Sequence, residues 1–129
     1  MSEQLCPCGS GKSYDGCCGP YHARRSDPPT AEALMRSRYS AYVLGDAKYL
    51  YRSWDEQTRP SLPSLRAMPP VHWLGLTVER RQAGGQDDEQ GTVTFVARYL
   101  DGGRVVELAE TSRFRRRNGK WVYVDGDVS

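Results

Sequence analysis

All four cysteines of this chain fall between positions 6 and 18, in the run Cys6-Pro7-Cys8-Gly9-Ser10-Gly11-Lys12-Ser13-Tyr14-Asp15-Gly16-Cys17-Cys18. Such spacing leaves few structures open. A disulfide within either close pair would strain the backbone, because the bridge needs Cα atoms about 5.5 Å apart and a defined torsion. Two bridges across the pairs are the alternative, and a reducing compartment disfavours them. Four thiolates, in contrast, make a complete tetrahedral set for Zn²⁺, and an all-thiolate set also accepts iron. Cys6, Cys8, Cys17 and Cys18 are therefore the expected metal ligands. Gly9, Gly11 and Gly16 suit a chain that folds back tightly around an ion. The segment has little apolar material beyond Leu5, Tyr14 and Tyr21, so the metal should supply most of its folding energy. A filled ligand set leaves no position for a reactive water, which argues against a catalytic metal. Lys12, Arg24 and Arg25 are close enough in sequence to offset the thiolate charge. His22 is the rival ligand, and a surface or staple position beside Tyr21 is the plainer expectation for it.

Composition narrows the setting. With 38% hydrophobic and 26% charged residues in 129 positions, the chain reads as one ordinary globular domain plus a small appendage. A net charge of +2 is too small to indicate nucleic acid by itself. No apolar run approaches the ~20 residues that cross a bilayer. The N-terminus has neither a basic region nor an apolar core of a secretory signal, so the cytoplasm is the expected compartment.

After the cysteines, residues 19–29 carry Gly19-Pro20 and Asp27-Pro28-Pro29, which is linker chemistry. The expected division is a knuckle over 1–22, a linker over 23–29 and a folded domain over 30–129. Thr30 reads as an N-cap, helical spacing runs through Leu34, Met35, Arg38, Tyr39, Tyr42 and Val43, and Gly45 reads as a stop. Asp46 caps a second helix carrying Ala47, Leu50 and Trp54. Four prolines interrupt 58–70, with room for one short helical turn over 64–68. Strands are expected over 72–81, 92–100, 104–116 and 121–125.

Asp101-Gly102-Gly103 and Asn118-Gly119 are hairpin turns, and they set a register. A two-residue turn at Gly102-Gly103 pairs Arg98 with Glu107, Ala97 with Leu108, Tyr99 with Val106 and Phe95 with Glu110. A one-residue slip would lose the Arg98–Glu107 ion pair. A two-residue turn at Asn118-Gly119 pairs Arg116 with Trp121, Phe114 with Tyr123 and Ser112 with Asp125. One sheet face then carries Val93, Phe95, Ala97, Tyr99, Val106, Leu108, Phe114, Trp121 and Tyr123, and the helices should cover it. Glu110, Ser112 and Asp125 fall among these aromatics, where polar groups must be paired or line a cavity. The expected pocket is Arg36, Tyr39, Trp54, Glu110, Ser112, Trp121, Tyr123 and Asp125. Glu110 and Asp125 would act as base or orient a ligand, Tyr39, Ser112 and Tyr123 would hydrogen-bond, and Trp54 or Trp121 would form walls. The plainer expectation is that Arg36 or Arg38 satisfies Glu110. Arg113, Arg115 and Arg117 share the opposite face. Without interleaved aromatics they read as a solvated strand face and not as a nucleic-acid patch. Two helices followed by a curved antiparallel sheet make an α+β cone the expected fold. No catalytic signature stands out.

The run from Cys6 to Lys12, with Tyr14 and the Cys17-Cys18 pair, resembles the SEC-C motif, the metal-binding tail of the SecA translocation ATPase and of several small bacterial proteins. That resemblance implies zinc and a docking role toward a chaperone, a translocase or a ribosome surface. The whole chain resembles the YchJ family, through the knuckle, Leu34-Met-Arg-Ser-Arg-Tyr-Ser-Ala-Tyr42, Trp73-Leu-Gly-Leu-Thr77, Thr94-Phe-Val-Ala-Arg98, Glu110-Thr-Ser-Arg-Phe114 and Trp121-Val-Tyr-Val-Asp-Gly126. It implies a domain similar to the nuclear transport factor 2-like fold, a cone that often encloses a pocket. No activity comes with it. A binding or adaptor protein is the expectation, and a small-molecule binder or enzyme using the cone is the alternative.

Overall fold

A computed structural model describes residues 4–128. The outer ends of the two expected units, residues 1–3 and 129, lie outside the described residues. Among the described residues a 3-10 turn (Tyr14–Gly16) and four α-helices precede a four-stranded sheet: α1 (Gly19–His22), α2 (Ala31–Leu44), α3 (Ala47–Arg52), α4 (Leu62–Arg66), then β1 (His72–Ala83), β2 (Gln90–Asp101), β3 (Arg104–Arg117) and β4 (Lys120–Val128). The sheet is an antiparallel meander in the order β1-β2-β3-β4.

Capping fixes where the helices begin. The Thr30 hydroxyl accepts from Ala33 N–H at 3.1 Å, and Gly45 ends α2 in the left-handed region at φ 72°. The Asp46 carboxylate accepts from Tyr49 N–H at 3.1 Å and starts α3. Each satisfies an amide that a helix end leaves orphaned. Gly19-Pro20, expected as linker, instead opens α1. Proline is tolerated in a first helical turn because its missing N–H has no partner there to lose.

The two hairpin turns determine the sheet. Gly102 and Gly103 sit at φ 55° and 82°, Asn118 and Gly119 at 53° and 79°. Positive φ at both central residues is the turn whose twist matches the flanking strands. The β2–β3 register is the expected one, with Arg98 opposite Glu107 and Phe95 opposite Glu110. The β3–β4 register holds only as far as Phe114 opposite Tyr123. Beyond it a bulge inserts Val124, so that Arg113 faces Asp125 and Ser112 faces Gly126. One extra residue on one strand sends every later side chain to the other face. Asp125 therefore leaves the inner face.

Leu34, Met35 and Tyr39 of α2 pack on Val93, Ala97, Phe114 and Trp121 of the sheet, and Cys6, Cys8 and Cys18 belong to the same buried cluster. A second cluster joins Ala41, Tyr49, Leu50 and Leu65. The segment after α3 runs along β4: Asp55 N–H donates to the Tyr123 carbonyl at 2.7 Å and Tyr123 N–H to the Ser53 carbonyl at 2.9 Å. This covers part of an edge that would otherwise present unpaired backbone groups. No helix among the described residues is long and apolar enough to cross a membrane.

Candidate metal centre and interior pocket

The knuckle is closed by backbone before any metal is considered. Cys6 N–H donates to the Lys12 carbonyl at 2.8 Å, Gly9 N–H to the Cys6 carbonyl at 3.2 Å and Tyr14 N–H to the Gln4 carbonyl at 2.9 Å. Gly9 and Gly11, at φ 79° and 85°, make the reversal that a side chain would strain. The four cysteines are free thiols whose sulfurs all lie within 4.8 Å of one another, so they could hold a metal ion. Cys8 Sγ is 3.6 Å from Cys17 Sγ, and Cys17 Sγ is 3.9 Å from Cys18 Sγ. A tetrahedron built on Zn–S bonds of ~2.3 Å has edges of ~3.8 Å. Such a cluster shares protons unevenly: the hydrogen bond from Cys18 is the main cause that holds Cys8 down to about 4, and the same bond pushes Cys18 up. Four mutually repelling thiolates need a cation to ionise together.

Three side chains fasten the knuckle to α2. Arg36 donates Nη1–H to the Cys8 carbonyl at 2.8 Å while its Nε–H meets Glu32 at 2.8 Å. Ser40 Oγ lies 3.4 Å from Cys6 Sγ. His22 Nε2 donates to the Ser37 carbonyl at 2.8 Å, which leaves Nδ1 to accept from the Tyr14 hydroxyl at 2.6 Å. The His22 ring also packs against Tyr49 in a tilted contact, centroids 4.6 Å apart. It is a half-buried strut between knuckle and helices, more integrated than a surface histidine, and it stands outside the cysteine cluster.

Inside the cone lies a cavity of about 250 Å³ between α2 and the sheet. Of the residues named for a pocket, Tyr39, Glu110, Ser112 and Tyr123 line it, together with Arg38, Tyr42, Trp73, Phe95 and other apolar side chains. Glu110 Oε2 accepts from the Ser112 hydroxyl at 2.5 Å and from the Tyr123 hydroxyl at 3.3 Å. Gly126 makes this possible, because a Cβ there would sit 2.3 Å from Glu110 Oε2. Burial, then the Glu110 charge, raise the Tyr123 hydroxyl and keep it a donor. The Arg38 guanidinium lies in the angle between the Trp54 and Tyr123 rings, 4.7 and 4.6 Å from their centroids, and donates from Nη1 to the Leu50 carbonyl and to Ser53 Oγ. Burial lowers its pKa.

The other expected pocket residues lie elsewhere. Arg36 is two positions from Arg38, about 200° around the helix, and serves the knuckle. Asp125 pairs on the outer face with Arg113 at 2.5 Å. Trp54 stands beside Arg38 without lining the cavity, and its Nε1 is the sole buried side-chain nitrogen or oxygen among the described residues with no partner. Trp121 donates to the Pro29 carbonyl at 3.1 Å and walls a separate, basic cleft of about 630 Å³ with Arg24, Arg25 and Lys120.

The outer arginine run is neutralised from a quarter that the sequence did not advertise. Asp55, fully buried, binds Arg115 Nε at 2.5 Å and Arg117 Nε at 2.8 Å. Arg113 takes Asp125 and Asp127. Each arginine of the run is thus committed to a carboxylate.

A curved antiparallel sheet closed by α2, carrying a four-cysteine knuckle at its N-terminal side, defines a nuclear transport factor 2-like domain with a SEC-C type appendage. The family model described as the middle NTF2-like domain of YchJ matches residues 30–126. The chain belongs to the YchJ family. Among its relatives, a UPF0225 protein of Cupriavidus metallidurans is 54% identical over 95% of this chain and 88% of its own length. One from Streptomyces coelicolor is 48% identical over 98% of both. The solution structure of a SEC-C motif containing protein from Rhodopseudomonas palustris superposes with a TM-score of 0.86 at 40% identity, covering 96% of this chain and 98% of its own. A crystal structure of a SEC-C motif containing protein from Psychrobacter arcticus gives 0.80 at 25%, covering 98% and 83%.

Proposed function

We propose that the protein is a cytoplasmic adaptor whose knuckle holds Zn²⁺ through Cys6, Cys8, Cys17 and Cys18 and docks on a macromolecular partner of the chaperone, translocation or ribosome type. The observation that carries this is the convergence of four sulfurs within 4.8 Å of one another, two of the separations at 3.6 and 3.9 Å close to a tetrahedral edge. When bound, the ion supplies no chemistry beyond neutralising and fixing the thiolates, since four protein ligands leave it no open position. What the chain adds is a presenting surface: Leu5 is 69% exposed, and Lys12, on the segment that closes back beside it, is exposed too. An exposed leucine with a lysine beside it fits an apolar partner surface that carries an acidic group. Metal is measured by elemental analysis of the purified protein, with one zinc per chain expected and iron as the competing result. Docking is tested with Leu5→Asp/Lys12→Glu, which touches no ligand. Partners recovered with the parent protein should be lost with this variant, and their full retention would sink the docking role.

A second reading, that the cone binds a small molecule, is supported by the cavity of about 250 Å³ lined by aromatic rings and a few convergent polar groups. Saturable binding of any small probe that perturbs the Trp73 indole would support it.

A further inference from the structure

Two opposite charges, Arg38 and Glu110, line the interior cavity, and among the described residues neither forms an ion pair within 4.0 Å. Arg38 is 5% exposed, and among the described residues no carboxylate lies within ion-pair distance of it. Its two hydrogen bonds both leave from Nη1 and both go to neutral oxygens. Nε and Nη2 make no hydrogen bond to protein, and neither is sealed from solvent. Glu110 receives two hydroxyl donors, both on Oε2, and no cation. Six of the fourteen other arginines, Arg36, Arg81, Arg98, Arg113, Arg115 and Arg117, each have a carboxylate, but Arg38, the buried one, has none among the described residues. The Trp54 and Tyr123 rings flank the guanidinium, but they give Nε and Nη2 no acceptor, and a buried guanidinium held apart from a half-buried carboxylate across one cavity is costly unless something bridges them.

The remaining walls say what the bridge looks like. Met35, Tyr39, Phe95, Ala97 and Phe114 offer apolar and aromatic surface, and the volume equals roughly eight waters at ~30 Å³ each. A simple anion would meet Glu110, and a simple amine would meet Arg38. A ligand bearing both charges satisfies both groups at once. We propose that the cavity binds a small zwitterion with an apolar body, of the α-amino acid type, its carboxylate on Arg38 Nε/Nη2 and its ammonium on Glu110 Oε1, the oxygen that neither hydroxyl takes. This rests on the small-molecule reading of the cone. Tyr42 and Trp73, both half-buried, also line the cavity, and aromatic rings there suit an ammonium group.

The test titrates the metal-loaded full chain, followed by the Trp73 indole resonance, with L-phenylalanine and L-leucine. Beside them run the two half-ligands 2-phenylethylamine and 3-phenylpropionate, and the neutral benzyl alcohol. The zwitterions should bind saturably, and each half-ligand should bind about tenfold more weakly or worse. Glu110→Gln retains an acceptor for Ser112 and should weaken phenylalanine by a similar factor. Arg38→Met should do so too, but Arg38 also holds Leu50 and Ser53, so the glutamine variant decides the case if the methionine variant unfolds. Half-ligands that bind as tightly as the zwitterion, or an unaffected Glu110→Gln, would overturn the proposal while the cavity remains a binding site. If not even benzyl alcohol perturbs Trp73, the small-molecule reading falls with it.

Discussion

His22 and Ser37 are joined by a 2.8 Å hydrogen bond from imidazole Nε2 to a helix carbonyl, and through it the knuckle is attached to the middle of α2. An imidazole held at both nitrogens cannot also ligate a metal. His22→Ala should therefore cost about 2 kcal/mol, from two lost hydrogen bonds and the ring contact with Tyr49. It should leave the absorption spectrum of the cobalt-substituted protein unchanged. A shift in that spectrum would mean that the imidazole enters the coordination set.

Because Cys6, Cys8 and Cys18 share a buried cluster with Leu34, Met35 and Val93, metal loss should reach the whole fold. Stripping the metal with a strong chelator should lower Tm by about 10 °C, a few kcal/mol at the usual conversion for a domain of this size. Circular dichroism should show one cooperative transition in both states. An unchanged Tm would mean that the knuckle melts independently.

Asp55 is the buried anion under Arg115 and Arg117. Burial alone would raise its pKa, but the Gln57 N–H and the Arg117 and Arg115 guanidinium groups overcome that and lower it. A carboxyl whose folded pKa lies below its unfolded value, near 3.9, adds stability that is fully present above that value and is lost as pH falls through the folded pKa. Asp55→Asn should cost about 3 kcal/mol at neutral pH, since it leaves two half-buried cations without their anion. As pH falls below about 4 the variant should lose stability less steeply than the parent in urea titrations. Parallel slopes would remove Asp55 from the acid response.

Gly126 and Gly91 should respond differently to alanine. At Gly91 a Cβ would lie 2.4 Å from Gly84 Cα, and backbone cannot step aside. The cost should be about 3 kcal/mol, at the upper end for overpacking. At Gly126 the obstacle is the Glu110 carboxylate, the end of a side chain that can swing away. Gly126→Ala should cost only about 1 kcal/mol, measured by urea unfolding. It should break the Ser112–Glu110 bond, visible as a shift of the Tyr123 ring resonances. Equal costs at the two positions would contradict this difference in compliance.

Much of the cone was legible because its signals are local. Gly102-Gly103 and Asn118-Gly119 each demand a turn with positive φ, and a two-residue turn leaves no freedom in the pairing beside it. The cysteine spacing was equally direct. What could not be read was set by geometry at a distance. The inserted Val124 has no compositional mark, yet it moves Asp125 to solvent and brings Gly126 under Glu110. Asp55 follows a helix in an irregular segment, so nothing in its neighbourhood announces the parallel contact with Tyr123 that carries it beneath two arginines. Arg36 and Arg38 look interchangeable in the sequence, and only the phase of α2 separates the one that holds Cys8 from the one that faces the cavity.

That phase has a consequence for how the molecule can respond. One fourteen-residue helix presents Arg36 to the knuckle and Arg38 to the cone interior, so the two sites lean on opposite sides of the same lever. Any occupant of the cone that tilts the helix must alter metal affinity, and by reciprocity the metal must alter affinity in the cone by the same factor. Zinc competition assays with and without a cavity ligand would read that factor directly, and a ratio of one would show the lever to be rigidly clamped.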